Sequence, residues 1–184
     1  MAIERFITEE QLKLLTEDQA KFILEHAEKQ LKDTIDTNVA IVSRTTTVLT
    51  LMIGLMIALV GYVINRWEAN KTDELLQTGL VGSLYVLIII FKLGEIFHPV
   101  TYLTVGAEPK DFFNDRLFTP TNSLVRLRQI YVNEILEYQK RITANKATID
   151  NRWRVFKSCI SWMQLIPIVL LVMYLITRLV NLYL

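Results

Sequence analysis

Three stretches of this sequence stay apolar over lengths that a soluble core helix does not need: Thr46 to Ile64, Leu75 to about Phe97, and Cys159 to about Leu182. The hydrocarbon core of a bilayer is about 30 Å thick and is crossed by about 20 apolar helical residues, so each stretch predicts one crossing. Lys92 and Glu95 interrupt the second near one end. They read as membrane-edge charges, three apart on one helix face and within reach of the headgroups. With 52% hydrophobic residues in a chain of 184, there is room for three spans and one modest assembly outside the bilayer. The expected fold class is an all-α membrane protein with three transmembrane helices and long amphipathic cytoplasmic helices forming a stalk. Its segments are an N-terminal cytoplasmic helical part (1–39), a transmembrane hairpin (40–97), a cytoplasmic linker and long helix (98–158), and a third transmembrane helix (159–184).

The placing of the bases sets the expected orientation. The link between the first two spans has only Arg66 and Lys71, whereas the stretch from His98 to Ser158 has ten bases, with Arg152, Arg154 and Lys157 immediately before the third span. Bases beside membrane ends favour the cytoplasm, which puts the N-terminus inside and the C-terminal RLVNLYL outside. The first forty residues hold nine acids and no apolar run like a signal-peptide core, so they are expected to remain as a cytoplasmic helix. The 20 Lys and Arg against 19 Asp and Glu leave no basic surplus for a phosphate backbone, and direct nucleic-acid contact is not expected.

Local signals predict two long helices. Thr8 with Gln11 and Thr16 with Gln19 each form a capping-box pattern, two possible helix starts of which Thr16 is the stronger, because Glu17 and Asp18 follow it in the first turn and no Gly or Pro then appears before Gly54. One helix should therefore run from about Glu17 to Arg66, with Leu24, Ala27, Leu31 and Ile35 as an apolar seam. From Ser123 to Ile166 there is again no Gly or Pro, and Leu124, Leu127, Tyr131, Ile135, Tyr138, Ile142, Ile149, Trp153 and Phe156 recur at threes, fours and one seven. Between them, the stretch with Pro99, Gly106, Pro109 and Pro120 reads as a loop with one short helix opening at Pro109. With Lys110 and Arg116, that loop is the candidate surface for a partner or ligand. Pro167 predicts a kink in the third span, tolerated by packing or serving as a gate.

Within the first span, Ser43, Thr47, Thr50, Gly54, Ala58, Gly61 and Asn65 recur at threes and fours, which makes one small and polar stripe on a helix. Such a stripe lets helices approach closely. Its neighbour is a helix of the same chain, a helix of another copy, or water in a pore. Arg44 lies beside it at the cytoplasmic mouth, where a basic ring would favour anions or a single side chain would reach lipid phosphate. Leu55 and Leu59, on the other side, are expected to face lipid. One protomer offers little to bury this stripe and the two seams, so a homo-oligomer is expected.

Enzyme chemistry is not expected. The sequence has no G-x-S-x-G, H-E-x-x-H, P-loop or CxxC pattern, and its two histidines, His26 and His98, are far apart. Cys159 is the only cysteine, which leaves neither a disulfide nor a metal cluster; no cofactor and no metal are expected.

The layout then becomes informative. A helix runs into the hairpin formed by IDTNVAIVSRTTTVLTLMIGLMIALVGYVINRW and LVGSLYVLIIIFKLGEIF, GAEPKDFF follows, and YVNEILEYQKRITANKATIDNRWRVFKSCI enters the last span. Over most of the chain this layout resembles the small membrane effectors and accessory proteins of bacterial antiphage defence, such as SLATT-type effectors beside nucleotide-signalling systems or membrane partners of RNA-targeting CRISPR systems. The resemblance implies an oligomeric inner-membrane protein that perturbs or permeabilises the bilayer, pore-like, when a cytoplasmic defence protein or a nucleotide signal triggers it. No Arg-x4-6-His spacing surrounds His26 or His98, so no ribonuclease role is carried over. The alternative is a non-conducting membrane scaffold or sensor that recruits a cytoplasmic partner through its helical stalk.

Overall fold

The computed structural model describes residues 15–69, 74–99, 103–104 and 123–183. Among these the chain forms four α-helices and no strand: α1 (Glu17–Glu68), α2 (Glu74–Gly94), α3 (Ser123–Gln164) and α4 (Ile166–Tyr183), with one 3-10 turn at Glu95–Phe97. Contacts group the chain into two units, one from residues 1–39 and 100–149, the other from 40–99 and 150–184. Both α1 and α3 contribute to each.

In the first unit, α1 opens as its sequence predicts. The Thr16 N–H donates to Gln19 Oε1 over 3.0 Å, and the Gln19 N–H donates to Thr16 Oγ1 over 3.4 Å. Two donors that a helix start leaves without partners are thereby satisfied. Ala20 packs on Val132 and Ile135, and Leu31 packs on Tyr138 and Ile142. The numbers rise together, so α1 and α3 run in the same direction along this seam. Leu24 joins both clusters.

The seam of α3 has a sevenfold gap between Ile142 and Ile149, and Asn145 fills it, 2% exposed. Its amide Nδ2 donates to the Leu103 carbonyl over 3.1 Å, and its Oδ1 accepts the Leu103 N–H over 3.3 Å. One turn away, Arg141 Nη1 donates to the Thr104 carbonyl over 3.0 Å. A helix side chain thus satisfies both backbone polar groups of Leu103, which a buried Asn is able to do and a Leu is not.

The second unit is built around α2. Its buried side, Leu76, Gly79, Gly82, Ser83, Val86, Ile89 and Leu93, faces neighbours on two sides. A Cβ on Gly79 would come within 2.8 Å of Val63 Cγ2, and one on Gly82 would lie 3.7 Å from Leu59 Cδ1. This places α1 antiparallel to α2. Gly82 also abuts Leu170 of α4. The glycines allow an approach that a larger residue would block. The Ser83 hydroxyl donates to the Gly79 carbonyl over 2.8 Å, so no polar group is orphaned there. After α2, Arg152 Nη2 donates to the His98 carbonyl over 3.0 Å.

α1, the segment Glu74–Phe97, and α4 are each long and apolar enough to cross a membrane. Their surfaces agree with that: Leu51, Ile57, Leu84, Phe91 and Leu171 are 65%, 67%, 62%, 70% and 59% exposed. Exposed apolar side chains on helices of this length suit lipid or other chains as their surroundings.

Candidate functional site

The two sides of α1 differ. Ile41, Thr45 and Met52 are buried, and Met56, Leu59 and Val63 are half-buried. These positions recur at fours, a three and one seven, so they form one face. Ser43, Thr47, Thr50, Gly54, Ala58, Gly61 and Asn65 are all exposed. At about 100° of rotation per residue, they lie on the far side of the helix from Met52, Met56 and Val63. A Cβ on Gly54 or Gly61 would meet nothing within 4 Å. Among the described residues of the second unit, the small-residue stripe is therefore free of the other helices, and the close approaches are made by Gly79 and Gly82 instead. Leu59, expected to face lipid, packs toward Gly82.

The two threonines of the stripe spend their hydroxyls on their own helix. Thr47 Oγ1 donates to the Ser43 carbonyl over 3.2 Å and Thr50 Oγ1 to the Thr46 carbonyl over 2.9 Å. Off the stripe, Thr45 and Thr46 bond the carbonyls of Ile41 and Val42 in the same way. These donors are satisfied by their own helix, so the methyls and the bare glycine backbone form the outward relief. Such a face fits closely against another helix, with Ser43 and Asn65 at its two ends as the remaining polar side chains.

The remaining positions are not gathered around it. Arg44 is exposed on α1. Lys92 is half-buried, and its ammonium lies over the Trp162 ring, 5.0 Å from the centroid, while Glu95 is exposed at the start of the 3-10 turn. Lys92 therefore meets an aromatic face rather than Glu95. Pro167 is exposed in the first turn of α4, where a missing N–H costs least. The break falls at Leu165, whose N–H donates to the Trp162 carbonyl over 3.1 Å. The Tyr85 hydroxyl donates to the same carbonyl over 3.0 Å, and the rings of Tyr85 and Trp162 stack with centroids 6.3 Å apart. Thr8 and Gln11, the short helix expected at Pro109, and Lys110 and Arg116 lie outside the described residues.

Sequence reasoning missed the Gly79–Gly82 seam, Tyr85 and Asn145. The signals were present as two glycines three apart in the second span and as the gap in the α3 seam. His26 Nδ1 lies 3.0 Å from the Phe22 carbonyl on the surface of α1, and no group of three His, Cys, Asp or Glu that could hold a metal occurs among the described residues. No protein-family model, curated protein or solved structure matches this chain.

Proposed function

We propose that this chain is a homo-oligomeric, multi-pass protein of the bacterial inner membrane, with its N-terminus cytoplasmic and its C-terminus outside. Its assembled form perturbs or permeabilises the bilayer in antiphage defence, with no catalytic step of its own. One observation carries this reading: a seven-residue stripe of small residues lies wholly exposed on α1, diametrically away from the face that packs the protomer. Small residues on a membrane helix gain little against lipid and much against a closely approaching helix. A second copy supplies that helix, and repetition around an axis closes the assembly. The amphipathic parts of α1 and α3 form the cytoplasmic stalk, and a cytoplasmic defence protein or nucleotide signal acts on it.

The test is expression of the wild-type chain and of Gly54→Leu or Ala58→Leu, with membrane potential, dye entry and oligomer size measured together. Overpacking a tight contact costs about 1 to 3 kcal/mol, so both variants should give smaller oligomers and less depolarisation. Unchanged oligomer size, potential and growth would overturn the reading. The satisfied hydroxyls of Thr47 and Thr50 favour one alternative, a non-conducting scaffold whose α1 faces pack dry. That reading predicts intact oligomers with no depolarisation at any expression level.

A further inference from the structure

The two ends of the second unit differ in charge. Leu59 of α1 lies beside Gly82 of α2. Arg44 is fifteen residues along α1 from the first, and Phe97 is fifteen residues beyond the second. At 1.5 Å per residue both are about 22 Å from that contact, and so at one level. Arg152 is tied to the same level through the His98 carbonyl, 3.0 Å from its Nη2. Arg154 and Lys157 follow within two turns on the outward side of α3, both exposed, and Ser158 and Ser161 extend that side toward α4. The Lys157 ammonium lies over the Trp153 ring, 5.4 Å from its centroid. With Lys92, this end carries, among the described residues, five bases against two acids, Glu95 and Asp150. The far end, among the described residues, has two bases, Arg66 and Arg178, balanced by two acids, Glu68 and Glu74.

We infer that the Arg44–Arg154–Lys157 end is a collar that selects anionic phospholipid headgroups, with Arg154 and Lys157 as its main determinants. The charge supplies the selection, because an anionic leaflet attracts juxtamembrane bases and a zwitterionic one does not. The position supplies the depth. Arg154 and Lys157 stand just before the apolar α4, their stems cover apolar surface, and helix side chains lean toward the N-terminus, here away from the span and toward the headgroups. The aromatic neighbours Trp153 and Phe97 suit the same layer. Phosphate is the group recognised, and a lipid rather than a free anion is its source, since the exposed bases Arg44, Arg154 and Lys157 stand at the edge of helices whose surface between the two charged ends is largely apolar. This inference stands independently of whether α1 joins copies.

The full chain carrying Trp67→Phe, so that Trp153 and Trp162 are the remaining indoles, is reconstituted in phosphatidylcholine vesicles mixed with phosphatidylglycerol. Bromine is placed on one lipid or the other at equal mole fraction, and indole quenching is read. Brominated phosphatidylglycerol should show a local enrichment on the order of fivefold. Arg154→Gln with Lys157→Gln should bring it close to parity, while Arg66→Gln with Arg178→Gln, at the balanced end, should leave it in place. Equal quenching by the two lipids, or a preference that survives loss of both collar bases, overturns the inference. So does displacement by inorganic phosphate in the buffer, which would identify a free-anion site. If the double variant fails to insert, raised salt on the parent protein takes its place, and a preference insensitive to salt sinks the collar equally.

Discussion

Gly82 of α2 lies so close to Leu170 of α4 that a Cβ on the glycine would come within 2.6 Å of the leucine Cδ2. Gly79 stands in the same relation to Val63 of α1, at 2.8 Å from Cγ2. The two contacts differ in how they yield. Leu170 can swing its side-chain end aside, whereas a helical valine has one strongly preferred χ1. Replacing glycine by alanine also regains up to about 1 kcal/mol of helix propensity. Gly82→Ala should therefore be near neutral, and Gly79→Ala should lose about 1 to 2 kcal/mol net. Equilibrium unfolding in mixed detergent checks the order of the two. A Gly82→Ala cost larger than that of Gly79→Ala would contradict it.

Tyr85→Phe removes one of two donors to the Trp162 carbonyl and leaves the Leu165 N–H in place. The carbonyl is not orphaned, so the loss should sit near the low end for a hydrogen bond, about 0.5 to 1 kcal/mol. Pro167→Ala instead restores a donor to the Met163 carbonyl and should draw α3 and α4 into one helix. Spin-label distances across the junction would lengthen on Pro167→Ala and stay nearly constant on Tyr85→Phe.

Asn145→Leu keeps the seam apolar but leaves the Leu103 N–H and C=O without their side-chain partner. The expected cost is about 1 to 3 kcal/mol, with the Leu103 amide losing its protection against hydrogen exchange. Asn145→Asp should be no better, since it supplies an acceptor where the Leu103 carbonyl needs a donor.

These features mark the limit of what could be read in the chain. The helix start at Thr16 and the break before Pro167 were legible, because their causes lie within four residues of each other in sequence. The span lengths were legible because the bilayer fixes them. The role of Asn145 was not, since its partner is backbone 42 residues away. Small-residue periodicity was equally blind: Gly54 and Gly61 on α1 and Gly79 and Gly82 on α2 give the same signal. A glycine permits close approach without naming the neighbour, and in the structure one pair faces outward and the other inward.

Burial pushes the Glu134 carboxyl above the ordinary range; Arg141 opposes this and Glu28 adds to it. A carboxyl whose pKa is raised on folding binds protons in the native state before the unfolded one does, so stability falls as pH rises through the folded value. Stability should therefore increase as pH drops through that value, and level off once the unfolded group also protonates. Glu134→Gln should raise the melting temperature at neutral pH and flatten this slope. Thermal melts followed by circular dichroism across the weakly acidic range check both. A steeper slope in the variant would refute the assignment.

The exposed face of α1 carries the functional account, and cross-linking in native membranes tests it most directly. In a Cys159→Ser background, single cysteines at Gly54 and Ala58 sit on that face, and cysteines at Leu84 of α2 and Leu171 of α4 sit on other exposed apolar surface. Under mild oxidation the account predicts covalent dimers from positions 54 and 58 and little from 84 and 171. Equal cross-linking at all four, or dimers from 84 and 171 with none from 54 and 58, would contradict it.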